Sequence, residues 1–257
     1  MPETRRLWLS PPAKSRLLGH GERIPSHHHP DGQLVYAASG VLTVGTAQGS
    51  YIAPATRAVW TPAWNEHDHR AYGITDMRVL PVPASVVAGM PAPLPARPVV
   101  IAVSPLLREV LLALTDARPR TAAVRGYLLH VAVAEFADAP EEPLHLPEPR
   151  DDRLRAVTAL LHSDPASNAS LTQLGKAVGA SERTLSRLFH DELGMSFRQW
   201  RTQLRLHDAL VRLADGQQVS DIAVACGWAN PTSLITAFSS AIGQTPARYQ
   251  SGLRRVG

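Results

Sequence analysis

Apolar positions change their period along the chain. Between residues 15 and 83 they come in short runs, Leu34-Val35-Tyr36, Val41-Leu42-Thr43-Val44 and Ala58-Val59-Trp60, divided by Gly and Pro turns about every ten residues. That rhythm predicts the strands of a small β-sandwich or barrel. The proline-rich stretch Pro81 to Pro98 excludes a helix and predicts an extended connector. From Pro105 the spacing becomes helical. Leu106-Leu107, Val110-Leu111 and Leu114, then Val124, Leu128, Val131 and Phe136, predict a helical hairpin that packs on the β-region or pairs with a second subunit. Pro140 to Pro149 predicts a second linker, and residues from 154 onward are helical.

The helical C-terminal part contains a duplication. Ala177-Val178-Gly179 and Ala225-Cys226-Gly227 lie 48 residues apart, and beyond a one-residue insertion Leu185 pairs with Leu234, Phe189 with Phe238, Gly194 with Gly243 and Trp200 with Tyr249 at an offset of 49. Each copy predicts helix, tight turn, helix. In the first, Ser170 caps a helix through Val178, Gly179 turns, and Ser181 caps a second helix with Leu185, Leu188, Phe189 and Leu193 on one face. Arg183, Thr184, Ser186, Arg187 and His190 lie on the other. In the second copy a helix near Ser220 to Cys226 ends at Gly227, Asn230 is the next cap and Pro231 the first helical residue; Thr232, Ser233, Thr236 and Ser239 face outward. A helix of roughly Ser196 to Ala214, about 28 Å long, joins the copies. Successive major grooves on one face of B-DNA are about 34 Å apart, so such a rod would present both second helices to adjacent grooves.

Charge sharpens this picture. Residues 1–149 hold 13 Lys and Arg against 13 Asp and Glu, while residues 150–257 hold 13 against 9, so the whole formal charge of +4 is C-terminal. Phosphate neutralisation needs such an excess, and Arg can pair bidentately with guanine. A single cysteine, Cys226, excludes an internal disulfide framework and a cysteine zinc site and is expected as a small buried hydrophobe. No apolar run is long enough for export or membrane insertion, so a cytoplasmic, soluble protein without a membrane partner is expected. No phosphate-binding glycine loop or nucleophile constellation occurs.

Residues 150–252 resemble the DNA-binding domain of AraC/XylS-type transcription regulators. The likeness runs from Ala177-Val178-Gly179-Ala180-Ser181-Glu182-Arg183-Thr184-Leu185-Ser186-Arg187-Leu188-Phe189 through Gly194, Ile222-Ala223, Gly227-Trp228 and Phe238 to Gly243-Gln244-Thr245-Pro246-Ala247-Arg248-Tyr249. It implies that Arg183, Thr184, Ser186 and Arg187 sit on the first recognition helix and Thr232, Ser233 and Thr236 on the second. This chain departs from many relatives in having no basic residue on the second, which puts the weight on the first. Leu185, Phe189, Trp228 and Phe238 are expected in the core.

Six of the eleven histidines lie between His20 and His69. His27 and His29 share one face of a strand, Gln33 follows, and Pro62 precedes His67 by five. The pattern resembles the cupin motifs His-x-His-x3-Glu and Pro-x-Gly-x2-His, with Gln33 where a carboxylate is usual and Trp64 where glycine is. His27, His29, Gln33 and His67 are the expected ligands for a divalent transition metal (Zn, Ni, Fe or Cu), with His28 and His69 as alternates. The other readings are a pocket that hydrogen-bonds an organic ligand and a surface cluster. Glu66 and Asp68 form no paired acid/base arrangement.

The expected fold is α+β: a cupin-like sensor at residues 1–98, connecting or dimerisation helices and a linker at 99–149, and an all-α domain with two helix-turn-helix units at 150–257. The expected function is a bacterial, sequence-specific, non-enzymatic regulator that binds double-stranded DNA in response to a small molecule or metal. It forms a homodimer or acts as a single chain, with RNA polymerase as a partner if it activates. A metal-dependent cupin enzyme with an appended DNA-binding module and an architectural DNA binder are the competing classes.

Overall fold

The run Gly32–Thr46 contains no charged residue, so it can be buried on both faces, and it forms the central strand of a sheet. The computed structural model describes residues 13–89 and 93–254. Its elements are β1 (Lys14–Leu18), β2 (Arg23–His27), β3 (Gly32–Thr46), β4 (Gly49–Pro54), β5 (Arg57–Thr61), β6 (His67–Val82), α1 (Ala84–Val87), β7 (Val99–Ala102), α2 (Pro105–Thr115), α3 (Ala122–Asp138) and β8 (Glu141–Glu142). There follow β9 (His145–Pro147), α4 (Asp152–Ser163), α5 (Leu171–Val178), α6 (Glu182–Leu193), α7 (Phe197–Ala214), α8 (Val219–Ala225), α9 (Pro231–Ile242) and α10 (Pro246–Arg254). The chain divides into two compact units, Met1–Ala47 with Tyr51–Pro143, and Gln48–Ser50 with Leu144–Gly257.

The first unit is built on the order β1-β6-β3-β5-β7-β8, with β2 also on β6. Strands β3 and β6 pair antiparallel from Gly32 opposite Val82 to Thr46 opposite His67. Leu34–Tyr36 and Val41–Val44 are thus parts of one strand rather than two. Gly40 between them is a bulge: its φ is 75°, and a Cβ there would lie 2.4 Å from Thr75 Oγ1, so only glycine lets the strand bend without breaking.

Helices α2 and α3 pack on this sheet in one core. Leu107, Leu111 and Phe136 join Leu34, Tyr36 and Trp60, and the Phe136 and Trp60 rings lie 5.1 Å apart. Val124 and Val131, expected on the inner face of α3, are exposed, while Ala132, Val133 and Phe136 point inward. This helix carries apolar residues on every side, so periodicity alone does not select its buried face.

The stretch from Pro81 is not wholly extended. Pro81 and Val82 complete β6, and the proline-free run after Pro83 makes the single turn α1. Val99–Ala102 returns to the sheet as β7, pairing Val99 with Trp60. The expected linker at 140–149 contains β8, on β7, and Glu142 reaches Arg57 at 3.2 Å.

In the second unit the duplication is visible in the caps. Gly179 and Gly227 turn at φ 70° and 72°, Ser181 and Asn230 cap α6 and α9, and Gly194 and Gly243 end them at φ 67° and 80°. A Cβ on Gly175 would meet the Ala180 carbonyl at 2.3 Å, which holds the first turn close to α5. Helix α7 opens with a capping box of Ser196 and Gln199. Its 18 residues span roughly 27 Å. Leu154, Leu174, Phe189, Trp200 and Leu204 share one core, and Phe238 and Tyr249 pack at 5.7 Å in the second copy. Trp228 is half-buried.

Candidate functional site

Helix α6 separates a core face from an open one. Leu185, Phe189 and Leu193 are buried, whereas Arg183, Ser186, Arg187 and His190, at i, i+3, i+4 and i+7, are exposed together. Among the described residues neither Arg183 nor Arg187 has an acidic partner, while Arg153, Arg155 and Arg212 are held by Asp151, Asp152 and Asp208. Arg205 is buried and donates to the Pro165 and Ser167 carbonyls at 3.1 and 2.9 Å, so part of the C-terminal positive charge is internal scaffolding. Thr184 is half-buried in the helix cap, its Oγ1 2.9 Å from Ser181 Oγ.

On α9 Thr232 and Thr236 are exposed, and Ser233 is half-buried, donating to Asn230 Oδ1 from its amide at 2.8 Å and its hydroxyl at 3.1 Å. Ser239, expected outward, has a buried Oγ without a hydrogen-bond partner among the described residues. Ile235, absent from the expected set, is 37% exposed beside Thr232 and Thr236. A lone apolar residue on a polar helix face carries no periodic signal.

The histidines converge in the first unit. One ring nitrogen from each of His27, His29 and His67 lies within 4.8 Å of the others. Their Nδ1 atoms contact the carbonyls of Pro25 at 2.8 Å, Asp31 at 2.5 Å and Asn65 at 2.8 Å. A carbonyl only accepts, so each Nδ1 carries a proton, which leaves Nε2 as the lone-pair nitrogen of the neutral ring. Burial depresses the pKa of His27 and pushes that of His67 down to about 3, so both are neutral at pH 7. His29 Nε2 is buried without a hydrogen-bond partner among the described residues. Gln33 donates its amide N–H to His67 Nε2 at 2.7 Å. Carbonyl-anchored imidazoles with a buried orphan nitrogen form a donor set suited to a divalent transition metal.

The surroundings place the remaining histidines. His69 is buried, its ring 5.7 Å from His27 and 5.1 Å from His67, whereas His28 lies 5.9 Å from the Trp64 ring. Trp64 has φ 62°, the left-handed backbone that favours glycine, and its N–H bonds the His29 carbonyl at 2.9 Å. Glu66 and Asp68 are exposed, alternating with buried His67 and His69.

The helix-turn-helix domain family matches residues 174–252 and the cupin domain family residues 16–83. The transcriptional regulator NimR of Escherichia coli is 32% identical over 234 residues, 90% of this chain and 84% of that protein. The chain belongs to the AraC family of transcription regulators. This regulator binds DNA and carries an N-terminal cupin domain for ligand sensing. RipA of Corynebacterium glutamicum, a second relative of the regulator, is 38% identical over 117 residues, 46% of this chain and 34% of that protein. Among solved structures, ToxT from Vibrio cholerae aligns over 95% of the regulator and 99% of its own chain at 12% identity, with a TM-score of 0.42. No helix among the described residues is long and apolar enough to cross a membrane.

Proposed function

We propose that α6 and α9 are the two recognition helices, and that one chain reads an asymmetric operator through adjacent major grooves. The observation that carries this reading is the pair of unpartnered guanidinium groups, Arg183 and Arg187, on a capped helix whose opposite face is core. Arg187 and Arg183 contact guanine edges or phosphates, with Ser186 and His190 flanking them and Thr184 supporting the helix start. Thr232, Ser233 and Thr236 hydrogen-bond the second groove, and Ile235 meets a thymine methyl, the apolar feature of the major groove. Binding takes place on promoter DNA in the cytoplasm, with homodimerisation and contact with RNA polymerase as the routes to transcription.

In the cupin domain His27, His29 and His67 would hold a divalent transition metal (Zn, Ni, Fe or Cu), and Gln33, whose amide meets His67 Nε2, would be the fourth donor. A bound ion supplies a Lewis-acidic position to which an effector's donor atom can attach. The chain's own contribution is to orient three imidazoles through carbonyl contacts at Nδ1 and to keep His27 and His67 neutral by burial. Among the described residues no Asp or Glu lines the cavity beside them, which favours sensing over acid/base turnover.

The test is Arg187→Ala on an operator chosen by selection from random duplexes. The variant keeps its helical circular dichroism and loses about 1–3 kcal/mol of discrimination at one base position. Unchanged affinity of the folded variant for that operator would remove α6 from the interface.

A further inference from the structure

The cavity beside the histidines has a volume of about 190 Å³ and an uneven lining. Ile24, Met77 and Val79 form an apolar wall, and His69 stands opposite Ile24 across the β2–β6 ladder. Lys14 and Arg23 are exposed lining residues, and neither has a carboxylate partner among the described residues. Arg16, also in the lining, is neutralised by Glu22 at 2.8 Å. Among the described lining residues none is acidic, so the two positive charges of Lys14 and Arg23 are uncompensated around this space. Such a concave positive field concentrates anions.

Size and the inner polar groups narrow the class. An apolar cavity of about 150 Å³ admits benzene, so this one takes a single ring with one substituent or a short branched chain of equal bulk. The 190 Å³ lies below the ~300–1,000 Å³ of sites for drug-sized ligands. His69 is buried and its Nδ1 has no hydrogen-bond partner among the described residues. Unpaired buried nitrogens are costly, and a ligand's polar atom would satisfy this one.

We propose that the cupin cavity binds a ring-sized organic anion, its carboxylate toward Lys14 and Arg23, its apolar body on Ile24, Met77 and Val79, and a polar ring substituent at His69. The proposal rests on the sensor reading of this domain and stands with or without the metal.

The experiment uses calorimetry on the full chain, both EDTA-treated and zinc-loaded. Benzoate, 2-furoate and cyclohexanecarboxylate are each titrated against their own primary amide. At least one carboxylate binds about 10-fold more tightly than its amide, and Lys14→Gln with Arg23→Gln erases that preference while leaving the amide unaffected. His69→Phe serves as a second probe: salicylate loses its advantage over benzoate in that variant and keeps it in the parent. Equal binding of every carboxylate and its amide, no binding of any of them, or a preference that survives loss of both cations would each overturn the proposal. Charge-dependent binding that leaves operator affinity unchanged supports the site and removes the sensor reading instead.

Discussion

Replacing His27 and His67 together by alanine removes two of the three converging imidazoles and leaves His29 alone, which is too few donors for a specific transition-metal site. The magnitude follows from linkage. A ligand that binds only the folded state at 100 times its Kd stabilises by about 2.7 kcal/mol. The first unit comprises about 140 residues, and for domains near that size about 1 kcal/mol moves the midpoint by roughly 2–4 °C. Zinc or nickel at that excess should therefore raise the unfolding midpoint of the parent by about 5–11 °C. The double variant should show no metal-induced change. Because the readout is the metal-dependent shift within each protein, a lower baseline stability of the variant does not enter. Gln33→Ala separates two roles for the amide that now rests on His67 Nε2. If the amide oxygen becomes a ligand, its loss weakens binding by about 10-fold. If the side chain only competes for the lone pair, its loss tightens binding. Equal shifts in the parent and the double variant would refute the metal reading.

Three further outcomes follow from the second unit. His207 Nε2 is buried without a hydrogen-bond partner among the described residues, and burial, reinforced by His162 and only partly opposed by Asp208, pushes its pKa down to about 4. The unfolded chain therefore binds the proton first, so this contribution is intact above pH 6.5 and is lost as pH falls toward 4; in urea titrations the parent should lose about 1–2 kcal/mol more than His207→Leu between pH 7 and pH 5, and parallel curves would contradict this. Phe189→Ala empties a fully buried site packed on Phe197 and Trp200, so it should cost about 3–5 kcal/mol and abolish DNA binding by unfolding; a folded, binding-competent variant would displace Phe189 from the core. Deoxyuridine in place of thymine in the second half-site should weaken the parent but leave Ile235→Ala unchanged, as measured by competition binding; equal losses in both would free Ile235 of that role.

What the sequence made legible was what local chemistry specifies. Caps and C-terminal glycines mark helix ends within a few residues, and the offset of 49 between Phe189 and Phe238 exposes the duplicated unit before any packing is known. The histidine trio was legible from the spacing of its motifs, but not by strand alternation: β2 ends at His27, and His29 joins it from the following loop. Long-range pairing was not. Lys14 and Arg23 meet Met77 and Val79 around one cavity only because β1 and β2 both pair with β6, more than forty residues away. Gly40 looked like a turn, since a bulge and a hairpin make the same demand for positive φ. The inward face of α3 was hidden by apolar residues on all sides, and β7 left no signal because a short buried strand has no alternation to reveal it.

Whether one chain lays two recognition helices into adjacent grooves is read out by hydroxyl-radical footprinting of the protein on a selected operator. Two protected patches are expected on one face of the duplex, about one helical turn apart and without dyad symmetry, with Arg187→Ala clearing only one of them. A single patch, or two dyad-related patches that appear only when two copies bind, would contradict that arrangement.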